Sequence, residues 1–177
     1  MKHPKVLVVF YSATGHTRAI ADEIAADMGA TIIQISCPSL DHGGFLTLRR
    51  LWSALTGARP DIRLSSAEAV EEFDLVLIGG PIWAAKLATP LSRYIDQVAH
   101  RLPRAVGVFI SSGSSQTSTA LSQWRAAVGK QPVASLCIND DDRVSGQHFA
   151  HIQDYVVTLK TYLASNRNGS AAVQSTR

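Results

Sequence analysis

The chain has 177 residues, 46% of them hydrophobic and 18% charged, and its 17 lysines and arginines exceed its 14 aspartates and glutamates for a net charge of +3. This is the composition of one globular domain able to bury its own core. No apolar run approaches the roughly 20 residues of a bilayer span, which excludes membrane insertion, and no basic run with interleaved aromatics marks a nucleic-acid surface. The first strand begins within a few residues of Met1, leaving no room for a signal peptide, so a cytoplasmic location is expected.

Val6 to Tyr11 is a continuous apolar, β-branched and aromatic run, the pattern of a strand covered on both faces. Ser12 to Thr17 then supplies three hydroxyls and Gly15, which can bend the backbone where a residue with a Cβ would be strained. From Thr17 the period becomes helical, with Ile20, Ile24 and Met28 on one face and Gly29 placed to end the helix. The helix N-terminus, with its free N–H groups and positive dipole end, therefore points at a loop able to wrap a phosphate. The alternative is a plain strand-to-helix turn capped by Thr14 or Thr17. The loop is neither a GxxxxGK nor a GxGxxG, so the expected anion is a single phosphate held without a lysine.

Thr31 to Ser36 is the second strand, stopped by Pro38. After Gly43 and Gly44, the residues Phe45, Leu48, Leu51, Trp52 and Leu55 recur at helical spacing with Arg49, Arg50 and Ser53 opposite, predicting a short amphipathic helix over residues 43–56. A weaker helical piece is expected at Ala67 to Glu72. This connection is long enough to serve as a lid on the carboxyl edge of a sheet or to cover an open sheet edge.

Phe73 to Gly79 is the third strand, and Gly80 to Lys86 reads as an irregular loop carrying Trp83. Pro90 opens a helix with Leu91, Tyr94, Ile95, Val98 and Leu102 as its buried face. The fourth strand, Ala105 to Ile110, leads into the polar loop Ser111 to Thr117. A helix carrying Leu121, Trp124 and Val128 ends at Gly129, and Pro132 to Ile138 is the fifth strand. Asp140, Asp141 and Asp142 read as a solvated turn. The last helix presents Phe149, Ile152, Val156, Leu159 and Leu163 on one stripe. The predicted organisation is one domain over residues 1–164 and a disordered tail over residues 165–177.

Five strands alternating with helices predict a three-layer α/β fold, a doubly wound parallel sheet whose ligand sits at the carboxyl ends of the strands. In the order 2-1-3-4-5 the loops after strands one, three and four converge. That order puts Cys37 and Cys137, which lack any CxxC or Cys/His spacing, at opposite edges as separate thiols. His148 and His151 are three apart but lack a recognisable third ligand, so no metal is expected, and no GxSxG elbow points to a serine nucleophile.

Set side by side, the loops YSATGHT and GGPIWAAKLATPL resemble those of the flavodoxin superfamily, over about Lys5 to Leu163. Flavodoxin is itself the standing example of the 2-1-3-4-5 order. The resemblance implies that Ser12, Ala13, Thr14, Gly15, His16 and Thr17 hold the phosphate of FMN. It also implies that Pro81, Ile82 and Trp83 flank the isoalloxazine ring, and that Ser111, Ser112 and Gly113 belong to the third loop. The G-P-x-W loop and the segment Gly44 to Arg50 resemble a group of flavodoxin-like proteins of unassigned role, and SATGH is similar to the loop of flavodoxin-like quinone reductases, which carry an aromatic where Thr14 stands. Small electron-carrier flavodoxins are acidic and commonly offer a stacking tyrosine after strand four, whereas this chain is basic and has SSGSSQT there.

The expected function is that of an FMN oxidoreductase reducing a small acceptor such as a quinone by two electrons, with NAD(P)H or a reductase as donor and no catalytic side chain assigned. Lys86, Arg49 and Arg50 supply positive charge suited to an electron-rich ring. The alternatives are a one-electron carrier between protein partners and a flavin-free interaction module. Expected partners are a small-molecule acceptor or a redox partner protein, with a homodimer left open.

Overall fold

The computed structural model describes residues 3–41, 50, 53, 56–57, 59–113 and 117–174, with side chains through residue 166. The elements are β1 (Val6–Tyr11), α1 (His16–Met28), β2 (Thr31–Ser36), α2 (Pro38–Asp41), β3 (Arg63–Leu64), β4 (Leu75–Trp83), β5 (Lys86–Leu87), α3 (Thr89–Val98), β6 (Ala105–Ser112), α4 (Ser118–Val128), β7 (Ser135–Asn139), α5 (Asp140–Ser145) and α6 (His148–Gln174). The sheet runs β3-β2-β1-β4-β6-β7, with β5 paired to β4 off this path. Its five long strands are parallel in the expected 2-1-3-4-5 order, with Leu7 opposite Thr31 on one side of β1 and Val76 on the other.

The side-chain period of two sends alternate residues of each strand to opposite layers. Leu7, Val9, Tyr11, Val76, Ile78, Val106 and Val108 pack with α3 and α4 through Leu91, Tyr94, Ile95 and Trp124. Val6, Val8, Phe10, Leu75, Leu77 and Phe109 pack with α1 and α6 through Ile20, Ile24, Ile152, Val156 and Leu159. Strands buried on both faces must be apolar throughout, which is why β1 and β4 are the most uniformly apolar runs. Gly79 belongs to this packing: a Cβ there would collide with the ring of Phe109.

Several expectations are corrected. Among the described residues the sheet has seven strands, because two two-residue strands escape periodicity: β3 pairs antiparallel with β2, and β5 folds back on β4. The stretch read as an irregular loop continues β4 through Trp83 and turns at Ala84 and Ala85, whose φ values of 49° and 62° make a tight hairpin without glycine. The second amide of that hairpin, Leu87 N–H, donates to Gln123 Oε1 at 3.1 Å, so packing against α4 holds a turn that the sequence alone does not favour. Ala67 to Glu72 forms only a 3-10 turn at Val70–Glu72.

The acidic run is the first turn of α5. Asn139 Oδ1 accepts from Asp142 N–H at 2.8 Å and Asp142 Oδ2 from Asn139 N–H at 2.9 Å, a capping box in which carboxylates favour the helix N-terminus. On α6 the buried stripe is Ile152, Tyr155, Val156, Leu159 and Leu163, while Phe149 is 57% exposed and stacks on His148. The helix spans His148–Gln174, with Ser165 Oγ donating to Thr161 O and Asn166 Nδ2 to Tyr162 O one turn back. Of the amphipathic helix predicted over 43–56, Arg50, Ser53 and Thr56 have helical backbone; Phe45, Leu48, Arg49, Leu51, Trp52 and Leu55 lie outside the described residues.

Candidate cofactor site at the carboxyl edge of the sheet

β1 delivers the chain to the carboxyl edge at Tyr11, and Gly15, at φ 92°, reverses it into α1. Ser12 Oγ accepts from Gly15 N–H at 3.1 Å and Arg18 N–H at 3.2 Å, which folds the loop back onto the first turn of α1. Beside Gly15 there is open space. Thr17 is buried, and its Oγ1 lies 2.7 Å from the hydroxyl of Ser111, also buried, at the end of β6. The loops after the first and fourth long strands are therefore joined by a hydrogen bond beneath the site.

Above that bond lies a cleft of about 260 Å³ lined by Thr14, His16, Pro81, Ile82, Ser111, Ser112, Gly113, Ile138, Asp140 and Arg143. It brings together seven of the residues singled out in the sequence. Ser12, Gly15 and Thr17 shape its floor and turn, and Ala13 packs against the core. Ile138, Asp140 and Arg143 were not anticipated. The signal that could have found them is the polar stretch after the fifth long strand, which ends at the same edge. A larger hollow of about 550 Å³ is lined by His3, Pro4, Phe73, Asp74 and Arg104. It sits where β4 and β6 begin, the end opposite to that at which parallel α/β sheets bind ligands.

A guanidinium dominates the electrostatics of the cleft. Arg143 NH1 donates to Asp140 Oδ1 at 2.9 Å and to His16 Nδ1 at 2.7 Å. The second contact requires His16 to be the neutral tautomer protonated on Nε2.

Trp83 lies outside the cleft. Its ring meets Tyr11 edge to face, with centroids 5.6 Å apart, and the Arg50 guanidinium sits 5.9 Å from its centroid. Arg50 also donates from Nε and NH2 to Leu40 O at 3.2 and 3.0 Å, and Ser53 Oγ is 2.7 Å from Thr89 Oγ1 in a buried contact. Tyr11 donates to Asp41 Oδ1 at 2.7 Å. The long connection after β2 is thus fastened to the flank of β4, while its later part, β3, covers the outer edge of β2.

A doubly wound sheet of this order, with a hydroxyl-rich loop at a helix N-terminus facing a cleft at its carboxyl edge, defines the flavodoxin-like class of α/β proteins. The sequence profile of the family described as Flavodoxin matches residues 5–135, and the chain belongs to that family. Among solved structures it is similar to a flavoprotein from Lactobacillus acidophilus in complex with FMN, with 21% identity and a TM-score of 0.65 over 80% of this chain and 97% of that one. It is also similar to a candidate flavoprotein from Bacteroides uniformis, with 24% identity and a TM-score of 0.64 over 78% and 92%. A Fusobacterium nucleatum flavodoxin bound to flavin mononucleotide superposes with a TM-score of 0.53 over 89% and 98%, at 10% identity. At these identities the likeness is one of fold. Among curated proteins no sequence matches the chain. No helix among the described residues is long and apolar enough to cross a membrane.

Proposed function

We propose that the protein is an FMN-binding oxidoreductase that transfers two electrons to a small acceptor such as a quinone, with NAD(P)H or a reductase as donor. The observation that carries this reading is the composition of the cleft, where anion-binding features and an apolar shelf face one another. The hydroxyls of Ser12 and Thr14 and the amides at the start of α1 suit a phosphoryl group. Pro81 and Ile82 offer the apolar wall that a flavin ring needs, and Ser112 and Gly113 line the cleft with them. The residues present fit FMN, and the two FMN-bound relatives place the same cofactor in the same fold.

When bound, FMN would supply reversible uptake of two electrons and protons. The chain's own contribution is binding and electrostatics. The loop and helix N-terminus anchor the anionic end, Pro81 and Ile82 exclude water, and Arg50 and Lys86 put positive charge on the β4–β5 flank, the sign that favours an electron-rich ring over a neutral one. An acidic one-electron carrier would present the opposite sign.

The test is to purify the full chain, record its visible absorption and identify any released flavin, then follow NAD(P)H-dependent reduction of a benzoquinone. A flavin spectrum with FMN released and quinone turnover is expected. A colourless protein that takes up no added FMN overturns the cofactor, and FMN binding without quinone turnover transfers the assignment to the carrier.

A further inference from the structure

Resting on the FMN reading above, we infer that Arg143 is a binding residue for the phosphoryl group of the cofactor, reaching it from the far edge of the sheet. Arg143 is carried by α5, and the Asn139–Asp142 capping box sets that helix directly at the end of β7. This placement brings the guanidinium to His16, the first residue of α1, with 2.7 Å between NH1 and Nδ1. A permanent cation therefore stands at the positive end of a helix dipole, an arrangement that is unfavourable in itself. Asp140 at 2.9 Å and the carboxyl end of α5, in whose last turn Arg143 sits, hold the cation there. A dianion in the cleft is attracted both by this guanidinium and by the N-terminus of α1.

Two further observations agree. Among the described residues lining the cleft, Arg143 is the only lysine or arginine. Its contacts with Asp140 and His16 both use NH1, so Nε and NH2 take part in neither and can present the planar fork that matches phosphoryl oxygens. The loop without a lysine thus acquires its positive charge from a residue over a hundred positions later in the chain, and Asp140 holds that charge in place.

The inference is tested by titrating the flavin-free full chain with FMN and with riboflavin, which lacks the phosphate, and following flavin fluorescence. Arg143→Ala should weaken FMN binding about tenfold, the size expected for one charge-assisted contact on a part-exposed side chain, and leave riboflavin binding unchanged. Arg143→Lys keeps the charge but loses the fork and should fall between the two, which keeps the test open should the alanine variant fold poorly. Arg125→Ala removes an equal charge from an exposed position on α4 and should change neither titration. Unchanged FMN affinity in Arg143→Ala, or an equal loss for FMN and riboflavin, overturns the inference alone. A wild-type chain that binds neither flavin overturns it together with the function on which it rests.

Discussion

Thr17 Oγ1 and Ser111 Oγ, 94 positions apart in the chain, form a buried hydrogen bond of 2.7 Å that ties the start of α1 to the end of β6. Removing either hydroxyl strands the other away from water, at a cost of about 1–3 kcal/mol. Thr17→Val and Ser111→Ala should each lower unfolding free energy by that amount in urea titrations, and the double variant should cost less than the sum. Strictly additive losses would show that the two hydroxyls are not coupled.

Thr14 is exposed and lines the cleft, so its substitution should separate binding from folding. Thr14→Ala is expected to weaken FMN binding about tenfold to a hundredfold, the range for a hydrogen bond to a charged group, with the urea midpoint unchanged. Retained affinity would remove Thr14 from the phosphate site.

Arg50 lies over Trp83 and caps the Leu40 carbonyl, which makes it the fastener of the long connection. A double-mutant cycle between Arg50→Ala and Trp83→Ala should give a coupling of about 0.5–1 kcal/mol from the cation–π contact. Zero coupling would leave the Leu40 carbonyl as the working partner of Arg50.

Three of the four tyrosines resist ionisation. Burial, and then the hydrogen bond to the Asp41 carboxylate, pushes Tyr11 far up; burial pushes Tyr94 up to about 12 and Tyr155 further still. A phenol whose folded value exceeds its unfolded value of about 10 stabilises the fold fully below pH 10, and that contribution is lost as pH rises through the folded value. Phenolate absorbance of these three should therefore appear together with loss of circular dichroism above pH 10. Ionisation of all four tyrosines in a chain that stays folded would contradict their burial.

Cys37 is buried beside β2 and Cys137 lies part-buried on β7, four strand spacings away, or roughly 19 Å at about 4.8 Å each. Both thiols should titrate in denaturant without reductant, since a disulfide needs Cα atoms within about 7 Å. In the native chain Cys137 should react first. Burial pushes its thiol up, with the Thr117 hydroxyl offsetting part of that rise, so its alkylation should be slower than that of a free thiol and accelerate as pH increases.

How much of this was legible in the sequence depended on range. The five long strands and the hydroxyl-glycine turn after the first follow from patterns local to the chain: apolar runs that only a doubly covered strand tolerates, and helical stripes such as Leu91, Tyr94, Ile95 and Val98; the sheet order came from the resemblance of two loops to those of flavodoxins. Where an outcome rests on contacts between distant segments, no local pattern exists to read. Ala84 and Ala85 hold positive φ because Leu87 is anchored to Gln123 on α4; Phe149 stays exposed against His148, while Tyr155, absent from the predicted stripe, is buried. Trp83 meets Tyr11 and Arg50 rather than the cleft, contacts with β1 and with the connection after β2 that no local pattern marks. Arg143 reaches His16 only when the sheet closes in the order β1-β4-β6-β7, which carries the end of the last strand to the mouth of the first loop. The sequence by itself determined the apolar strands and the hydroxyl-rich loop that follows the first of them; the tertiary structure decided which charged groups meet at the carboxyl-edge cleft, because electrostatic neighbours at that edge come from every strand and their proximity is a property of strand order, not of spacing.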